Sequence, residues 1–588
     1  MLHRARVQNL GTEPADATLW FSLRPYNPEG VALIHSIEYG NDASLFVDGR
    51  LAAVLTEEPD LAHCSTFRDG DCSFALGGGV SLKSHATCTA GLASAMVGYR
   101  LRLEPSATAS KILVMPIGGA QPRKGLTREL RRFDYRDRKV RLKSVWEEIT
   151  GQGMTVSLPD KEIEASFNLN KAYLALFDDG TDIKPGPLTY HHFWFRDAAF
   201  LVTALDRCGF TERAARILER YPSLQQKDGY FRSQNGEWDS NGQAIWTLME
   251  HYRLTGDNKY LEKVFPAMGR AAYWIEKKRT ETRAPVTPHT GLLPAGASAE
   301  HLGPNDYYYW DDFWGIAGLD CAAEAAELLG YRTEMLNFEK YRDDFKQSVH
   351  DSLRHASGRL GKSLLPASPY RRMDSGAIGS LACVYPLRIF SADDDAVTNT
   401  LDALRDVSFH KGCFFQHIVH AGINPYLTLH LAQVYLARRD PRAWDLATNV
   451  LRLATKTGTW PEAIHPLTGG GSMGDGHHGW ALAEWLLFLR NALLYEEKRD
   501  LHLMSVLPSA WTEWGKEVSV KDAPTHFGRV SFRLESKAAE LVLYLGGGIS
   551  QPARAYPLAS AVLGRGRPRG RPQRQYQRSC HVHAGGRR

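Results

Sequence analysis

No apolar run in the 588-residue sequence approaches the length of a membrane span, which needs about 20 residues. The first twenty residues, MLHRARVQNLGTEPADATLW, contain no apolar secretion core. Together these absences predict a cytoplasmic protein with no membrane partner. Cysteine is sparse and unpatterned: Cys64, Cys72, Cys88, Cys208, Cys321, Cys383, Cys413 and Cys580 include no C-x-x-C pair. That spacing argues against a zinc framework, and reduced, buried thiols are the simplest account. Neither a metal nor a cofactor is expected. Acidic residues are missing from the end of the chain. From Ala561 onward there are eight arginines and no Asp or Glu, and taking them from the net charge of +5 leaves −3. The body is thus mildly acidic, which speaks against a nucleic-acid partner. Residues 551–588 read as a basic, disordered tail.

What the chain has in quantity is apolar surface to bury, 43% of residues against 23% charged. This is the composition of a globular protein, and the length calls for two or three domains. Residues 1–118 read as β: runs such as ATLWFSLRPY and VGYRLRLEPS lie between Gly, Pro and Asp/Asn breaks. A sandwich-like domain is expected there, and since its first strand begins almost at Met1, part of it is expected to lie upstream. Residues 119–160 form a charged linker with an exposed helix. From 161 to 500 helical periodicity takes over in twelve segments, near 161–177, 195–208, 211–220, 241–255, 258–279, 312–329, 332–355, 375–387, 395–408, 424–438, 441–456 and 478–496. A small β-sheet follows over 501–550.

The links between these helices alternate. Short polar turns follow the even-numbered helices, and longer Gly- and aromatic-rich loops follow the odd ones. Six helical hairpins with this alternation predict a closed (α/α)6 toroid in a multidomain, mainly α protein. All the long loops would share one rim, where helix N-termini collect unpaired N–H groups and the positive dipole end. Asp197, Asn241, Asp312, Asp374, Asn424 and Asp475 stand at these junctions, and about half of them are expected to be ordinary helix caps. Capping leaves the aromatics unexplained: Trp194, Trp238, Trp310, Trp314, Trp460 and Trp480 fall on the same rim.

The densest chemistry lies in TWPEAIHPLTGGGSMGDGHHGW, residues 459–480, and in NDYYYWDDFW, residues 305–314. Paired acidic sites in aromatic surroundings suit acid/base work on a sugar. Phe193-Trp194-Phe195-Arg196-Asp197 resembles the Trp-x-Arg-Asp element of glucoamylases and other six-hairpin glycosidases. Trp310-Asp311 resembles the general-acid element of the glucoamylase, trehalase and processing α-glucosidase families, and Trp460-Pro461-Glu462 resembles the element carrying their base. The three occur in the same order and cover about residues 160–500. The resemblance implies an inverting, exo-acting hydrolase of α-linked glucosides or oligosaccharides, whose partner is its substrate. Such chemistry needs a protonated carboxyl and an ionised carboxylate on opposite faces of the sugar, roughly 6.5–9.5 Å apart. Asp311, set among Tyr307, Tyr308, Tyr309, Trp310 and Trp314, is the expected acid, with Asp312 as rival. Glu462 is the expected base, with Asp475 as fallback. Arg196 and Asp197 would hold sugar hydroxyls, aided by Asp239 and Asn241. Trp194, Trp238, Trp310, Trp314, Trp460 and Trp480 would present ring faces, and His477 and His478 would orient Glu462 or a hydroxyl. Asp at 311, where glucoamylases have Glu, leaves the linkage open. Rival readings are a glycoside phosphorylase, which needs no base carboxylate, a terpene-cyclase-like toroid suggested by KDGYFRSQNGEW, and a sugar-binding scaffold without activity.

Overall fold

The computed structural model describes residues 1–27, 30–77, 81–299, 303–497, 500–538, 540–549 and 580–584. The chain divides into two units, Met1–Trp146 and Glu147–Arg588.

The first unit contains two antiparallel sheets. One has six strands, in the order Leu2–Gln8, Thr108–Val114, Arg50–Leu55, Ser44–Val47, Ser36–Gly40, His85–Thr87. The other has three, in the order Ala15–Leu23, Ser94–Leu103, Leu61–Ser65. Inward-facing residues of both, among them Ile37, Leu45, Leu55, Val97 and Tyr99, share one core, as expected of sheets packed face to face. Helix α1 (Leu126–Arg131) follows, and α2 (Tyr135–Gly151) buries no residue at all.

In the second unit the helices are α3 (Lys161–Leu176), α4 (Phe195–Cys208), α5 (Thr211–Leu218), the short α6 (Tyr221–Leu224), α7 (Ser240–Thr255) and α8 (Asn258–Arg279). They continue with α9 (Tyr309–Leu328), α10 (Arg332–Leu360), α11 (Asp395–Val407), α12 (Pro425–Ala437), α13 (Arg442–Arg452) and α14 (Gly479–Leu493). Packing runs in a closed cycle: α4 on α7, α7 on α9, α9 on a 3-10 helix (Ser375–Cys383), that helix on α12, α12 on α14, and α14 back on α4. The remaining long helices lie outside, α3 against α14 and α4, α8 against α7 and α9, α10 against α9, α13 against α12. Sequence follows this placement. Inner helices such as α14, GWALAEWLLFLRNAL, are buried on every side and mostly apolar, whereas outer α13 buries one face only. Close approach in the ring rests on a glycine: a Cβ on Gly242 in α7 would come within 2.1 Å of the Trp314 carbonyl oxygen in α9.

Two sequence expectations change here. The eighth segment, 375–387, is 3-10 over Ser375–Cys383, because Gly376, Gly379 and Pro386 disfavour a continuous α-helix. The tail expected to be disordered over 551–588 lies outside the described residues except for 580–584. Those form a strand, Cys580–Ala584, parallel to Leu541–Leu545. That strand closes a five-stranded sheet whose order is Thr155–Ser157, Glu517–Thr525, Gly528–Ser536, Leu541–Ile549, Cys580–Ala584. Its second strand packs on α4 and α7.

A second small sheet sits between the loops before α12 and α14. Its strands are Phe409–His410, Cys413–Gln416, Gly422–Ile423, Ala463–Ile464 and Gly471–Met473. Ile423 pairs with Ile464, so this sheet ties the loop holding His420 to the loop holding Glu462.

Candidate active site

The first turns of α4, α12 and α14 surround a pocket lined by Pro185, Tyr190, Trp194, Arg196, Asp197, His420, Tyr426, Glu462, His478 and Trp480. Six of these were expected from sequence. Trp480 stacks between Phe200 (ring centroids 4.5 Å) and Tyr426 (4.5 Å), which fixes its ring in the wall.

Glu462 is the most heavily supported group. Tyr190 donates its hydroxyl to Oε2 (2.6 Å), and His420 Nδ1 lies 2.9 Å from Oε1. The Tyr426 hydroxyl is 3.5 Å from Oε1. Burial works against the negative charge, but the His420 hydrogen bond, His478 and Tyr190 outweigh it and bring the pKa down to about 2. Burial pushes the His478 imidazole down to about 4. At neutral pH that ring is uncharged, and the donors Tyr190 and His420 hold the carboxylate. Gly474, at φ +72°, lets the chain pass beside it, since a Cβ there would lie 3.1 Å from Glu462 Cβ and 3.0 Å from Tyr190.

Next to this carboxylate lies a cluster of opposite character. Arg196 donates to Glu237 (3.1 Å) and stands 3.5 Å from Asp239. Burial raises Asp197 to about 7 and Glu237 to about 7 despite the Arg196 charge. Asp239 Oδ2 accepts from Trp310 Nε1 (2.8 Å) and Gln243 (2.8 Å). Asp311 is 1% exposed and does not face the pocket; its Oδ1 accepts from the Ser298 hydroxyl (2.8 Å), while its buried Oδ2 has no partner. Burial, and then the negative charge of Asp239, hold the Asp311 carboxyl well above its usual range.

Asp312 points elsewhere. Its Oδ1 accepts from the Leu293 N–H (2.9 Å), and burial raises it to about 8 against that bond and Arg279. It pins a loop.

Several expected sugar-binding residues also have structural partners. Asn241 is fully buried and spends its amide on the backbone of Phe231 (2.7 Å), Gly229 (3.1 Å) and Ala271 (3.2 Å). Trp460 is buried against Trp485 and donates to the Val450 carbonyl (2.8 Å). Trp314 packs in the ring core on Phe200 and Trp246. Trp238 stands off the pocket under Lys278, 4.2 Å from its ring, and His477 packs on Tyr173. Asp475 accepts from Leu188 N (3.0 Å) and Thr189 N (2.8 Å), clamping the loop that carries Tyr190. Of the six expected caps, Asp374 and Asn424 cap their helices through the side chain, and Asn241, Asp312 and Asp475 bond elsewhere. Sequence reasoning passed over Tyr190, His420, Tyr426 and Glu237. Their one available signal was position in the long loops and first turns of the expected rim.

No family model matches the chain. The chain is similar to a bacterial glucoamylase solved with acarbose, at TM-score 0.60 and 14% identity over 81% of this chain and 77% of that one. The fold is that of glucoamylase-type glycosidases. It is also similar to a GH78-family rhamnosidase of Bacillus sp. GL1, at TM-score 0.51 and 13% identity over 91% of this chain and 51% of that one. In sequence, it is 24% identical over 330 residues to an uncharacterized glycosyl hydrolase of Methanocaldococcus jannaschii. That match spans 51% of this chain and 51% of the relative, so the chain covers about half the relative's length.

Proposed function

We propose that the protein is a glycoside hydrolase, inverting and exo-acting on α-linked glucosides or oligosaccharides, with Glu462 as general base and Asp311 as general acid. The closed cycle of helices is then an (α/α)6 toroid, with its substrate entering at the rim of long loops. The observation that carries this reading is the contrast between two buried carboxyl environments: Glu462 gathers donors that favour its charged form, while burial and neighbouring acids hold the Asp311 carboxyl well above its usual range.

In this mechanism Glu462 takes a proton from a water molecule, whose oxygen attacks the anomeric carbon. The bond to the leaving oxygen breaks on the opposite face, and Asp311 supplies that oxygen's proton. For this the glycosidic oxygen must displace Ser298 as the neighbour of the Asp311 carboxyl. Arg196 and Asp197 hold hydroxyls of the terminal sugar by charge-assisted bonds, and Trp194 and Trp480 bound the ring.

The test is sugar release from a panel of α-linked glucosides, with and without phosphate, following the anomer formed by NMR. The expected outcome is phosphate-independent release of the inverted anomer, lost in Glu462→Gln. Release that requires phosphate would assign the protein to the phosphorylases, and the retained anomer would remove Glu462 from the role of base.

A further inference from the structure

Among the described residues, ten that are not glycine take a positive φ. Two of these bond the two carboxyls of the proposed reaction: His420 (φ +55°) meets Glu462, and Ser298 (φ +46°) meets Asp311. Left-handed backbone is unfavourable for a residue with a Cβ and easy for glycine, and residues held in it cluster at functional sites. The backbone at 298 would suit glycine better, so what serine adds there is its hydroxyl.

Ser298 is fully buried, and among the described residues its hydroxyl has one hydrogen-bond partner, Asp311 Oδ1 (2.8 Å). Two loops meet to hold it there. The Ala297 N–H donates to the Gly236 carbonyl (2.8 Å) and Trp238 Nε1 to the Ala295 carbonyl (3.3 Å), which joins the loop before α9 to the loop before α7. The approach is close, since a Cβ on Gly296 would lie 2.3 Å from the Gly236 carbonyl oxygen. The loop before α7 also carries Asp239 and Glu237, which together with Asp312 disfavour a charge on Asp311. Arg196, on α4, faces Glu237 (3.1 Å) and Asp239 (3.5 Å). Tyr230 and Tyr308 lie near Asp311, and burial keeps both phenols well above their ordinary range and neutral. Ser298 acts in the opposite sense to the acids, because a hydroxyl donated to a carboxylate favours its charged form.

A serine oxygen both donates and accepts, so it can satisfy Asp311 whether ionised or protonated. A glycosidic oxygen carries no hydrogen and can only accept. Asp311 does not line the pocket, and its Oδ2 is buried without a partner, so the bond it has to exchange is the one at Oδ1. We propose that Ser298 is a positioning residue: in the free protein its hydroxyl holds the place beside Asp311 that the glycosidic oxygen takes, and substrate displaces it. The inference rests on the glycosidase reading and adds to it a change of state on binding. Exchange of a donor for an acceptor leaves ionised Asp311 without its bond, so the substrate itself commits the carboxyl to its proton.

The test compares wild type, Ser298→Ala and Ser298→Gly by the pH dependence of kcat and kcat/KM on a cleaved member of the α-glucoside panel. In wild type the alkaline limb of kcat, which reports the complex, should lie above that of kcat/KM, which reports the free protein. Both variants should raise the kcat/KM limb by about one pH unit or more and leave the kcat limb in place, closing the gap. Ser298→Gly, free of the backbone strain, should melt no lower than Ser298→Ala, and it carries the test should the alanine variant not fold. A kcat limb that moves with the kcat/KM limb would overturn the proposal, because the hydroxyl would then stay bonded in the complex. Carbon-13 NMR titration of the free chain, with Asp311→Asn to identify the Asp311 carboxyl signal, separates this failure from that of the underlying reading. A signal that titrates at higher pH in both variants is the expected result, and an unmoved one would overturn the proposal whether or not sugar is released. The shift beside no cleavage of any glucoside would sink the glycosidase reading and the exchange with it.

Discussion

Glu462 and Asp311 are both buried carboxyls, in the loop before α14 and the first turn of α9, and their surroundings push their pKa values in opposite directions. Around Glu462 the structure supplies two close donors and a third hydroxyl at 3.5 Å. Around Asp311 it supplies one donor, Ser298, and the neighbouring acids Asp239, Asp312 and Glu237. Desolvation is the largest influence on both groups, and it raises both. Burial therefore does not decide which carboxyl favours its charged form. Donor count and the sign of the neighbouring charges do.

The harshest break of this contrast is Glu462→Gln or Asp311→Asn. Each should lower kcat by about 10²–10⁴-fold, read as initial rates of sugar release with binding retained. Next is removal of a donor. Tyr190→Phe should cost about tenfold in kcat/KM and move the acid limb of the pH–rate profile upward, because Glu462 loses a bond to its charged form. Removing a like charge acts on the other carboxyl. Asp239→Asn should move the alkaline limb to lower pH, because Asp311 ionises more readily without that neighbour, and an unmoved limb would dissociate Asp239 from the acid. Asp312→Ala should cost about 1–3 kcal/mol of stability by stranding the Leu293 N–H, measured by denaturant unfolding, and move the alkaline limb to lower pH by less than Asp239→Asn does, because Asp312 is the weaker of the two acids acting on Asp311. The smallest effect is on stability as a function of pH. Asp197, Glu237, Asp312 and Glu484 have raised pKa values of about 7 to 8, so over this range the folded chain binds more protons than the unfolded one. Their contribution is complete below about pH 4 and is lost as pH climbs through 7 to 8. Melting temperature should fall across that interval, and a rise would contradict the four assignments.

The sequence was most legible where one local stretch carries the chemistry. Trp194, Arg196 and Asp197 fall within four positions at one helix start, and Glu462, His478 and Trp480 come from one stretch. The helical segments were legible because inner and outer helices differ in apolar content. Trp460 was misread because a tryptophan before Pro-Glu in a Gly-rich stretch looks exposed, whereas its indole is bonded to Val450 and packed on Trp485. Tyr190 and His420 were missed because they reach Glu462 from 272 and 42 residues away, and no local pattern encodes such approaches. Asp311 and Asp312 are adjacent in sequence and were inseparable there. Successive helix positions point about 100° apart, and only packing shows that one meets Ser298 and the other Leu293.

The pairing of Ile423 with Ile464 makes the support of Glu462 the joint property of two hairpins. Replacing the loop before α12 alone would remove the strand pairing that holds His420 against Glu462. Replacing the loop before α14 alone would remove the carboxylate that His420 is placed to meet. The two loops therefore form one unit, and an exchange that keeps Glu462 and His420 in register has to carry both.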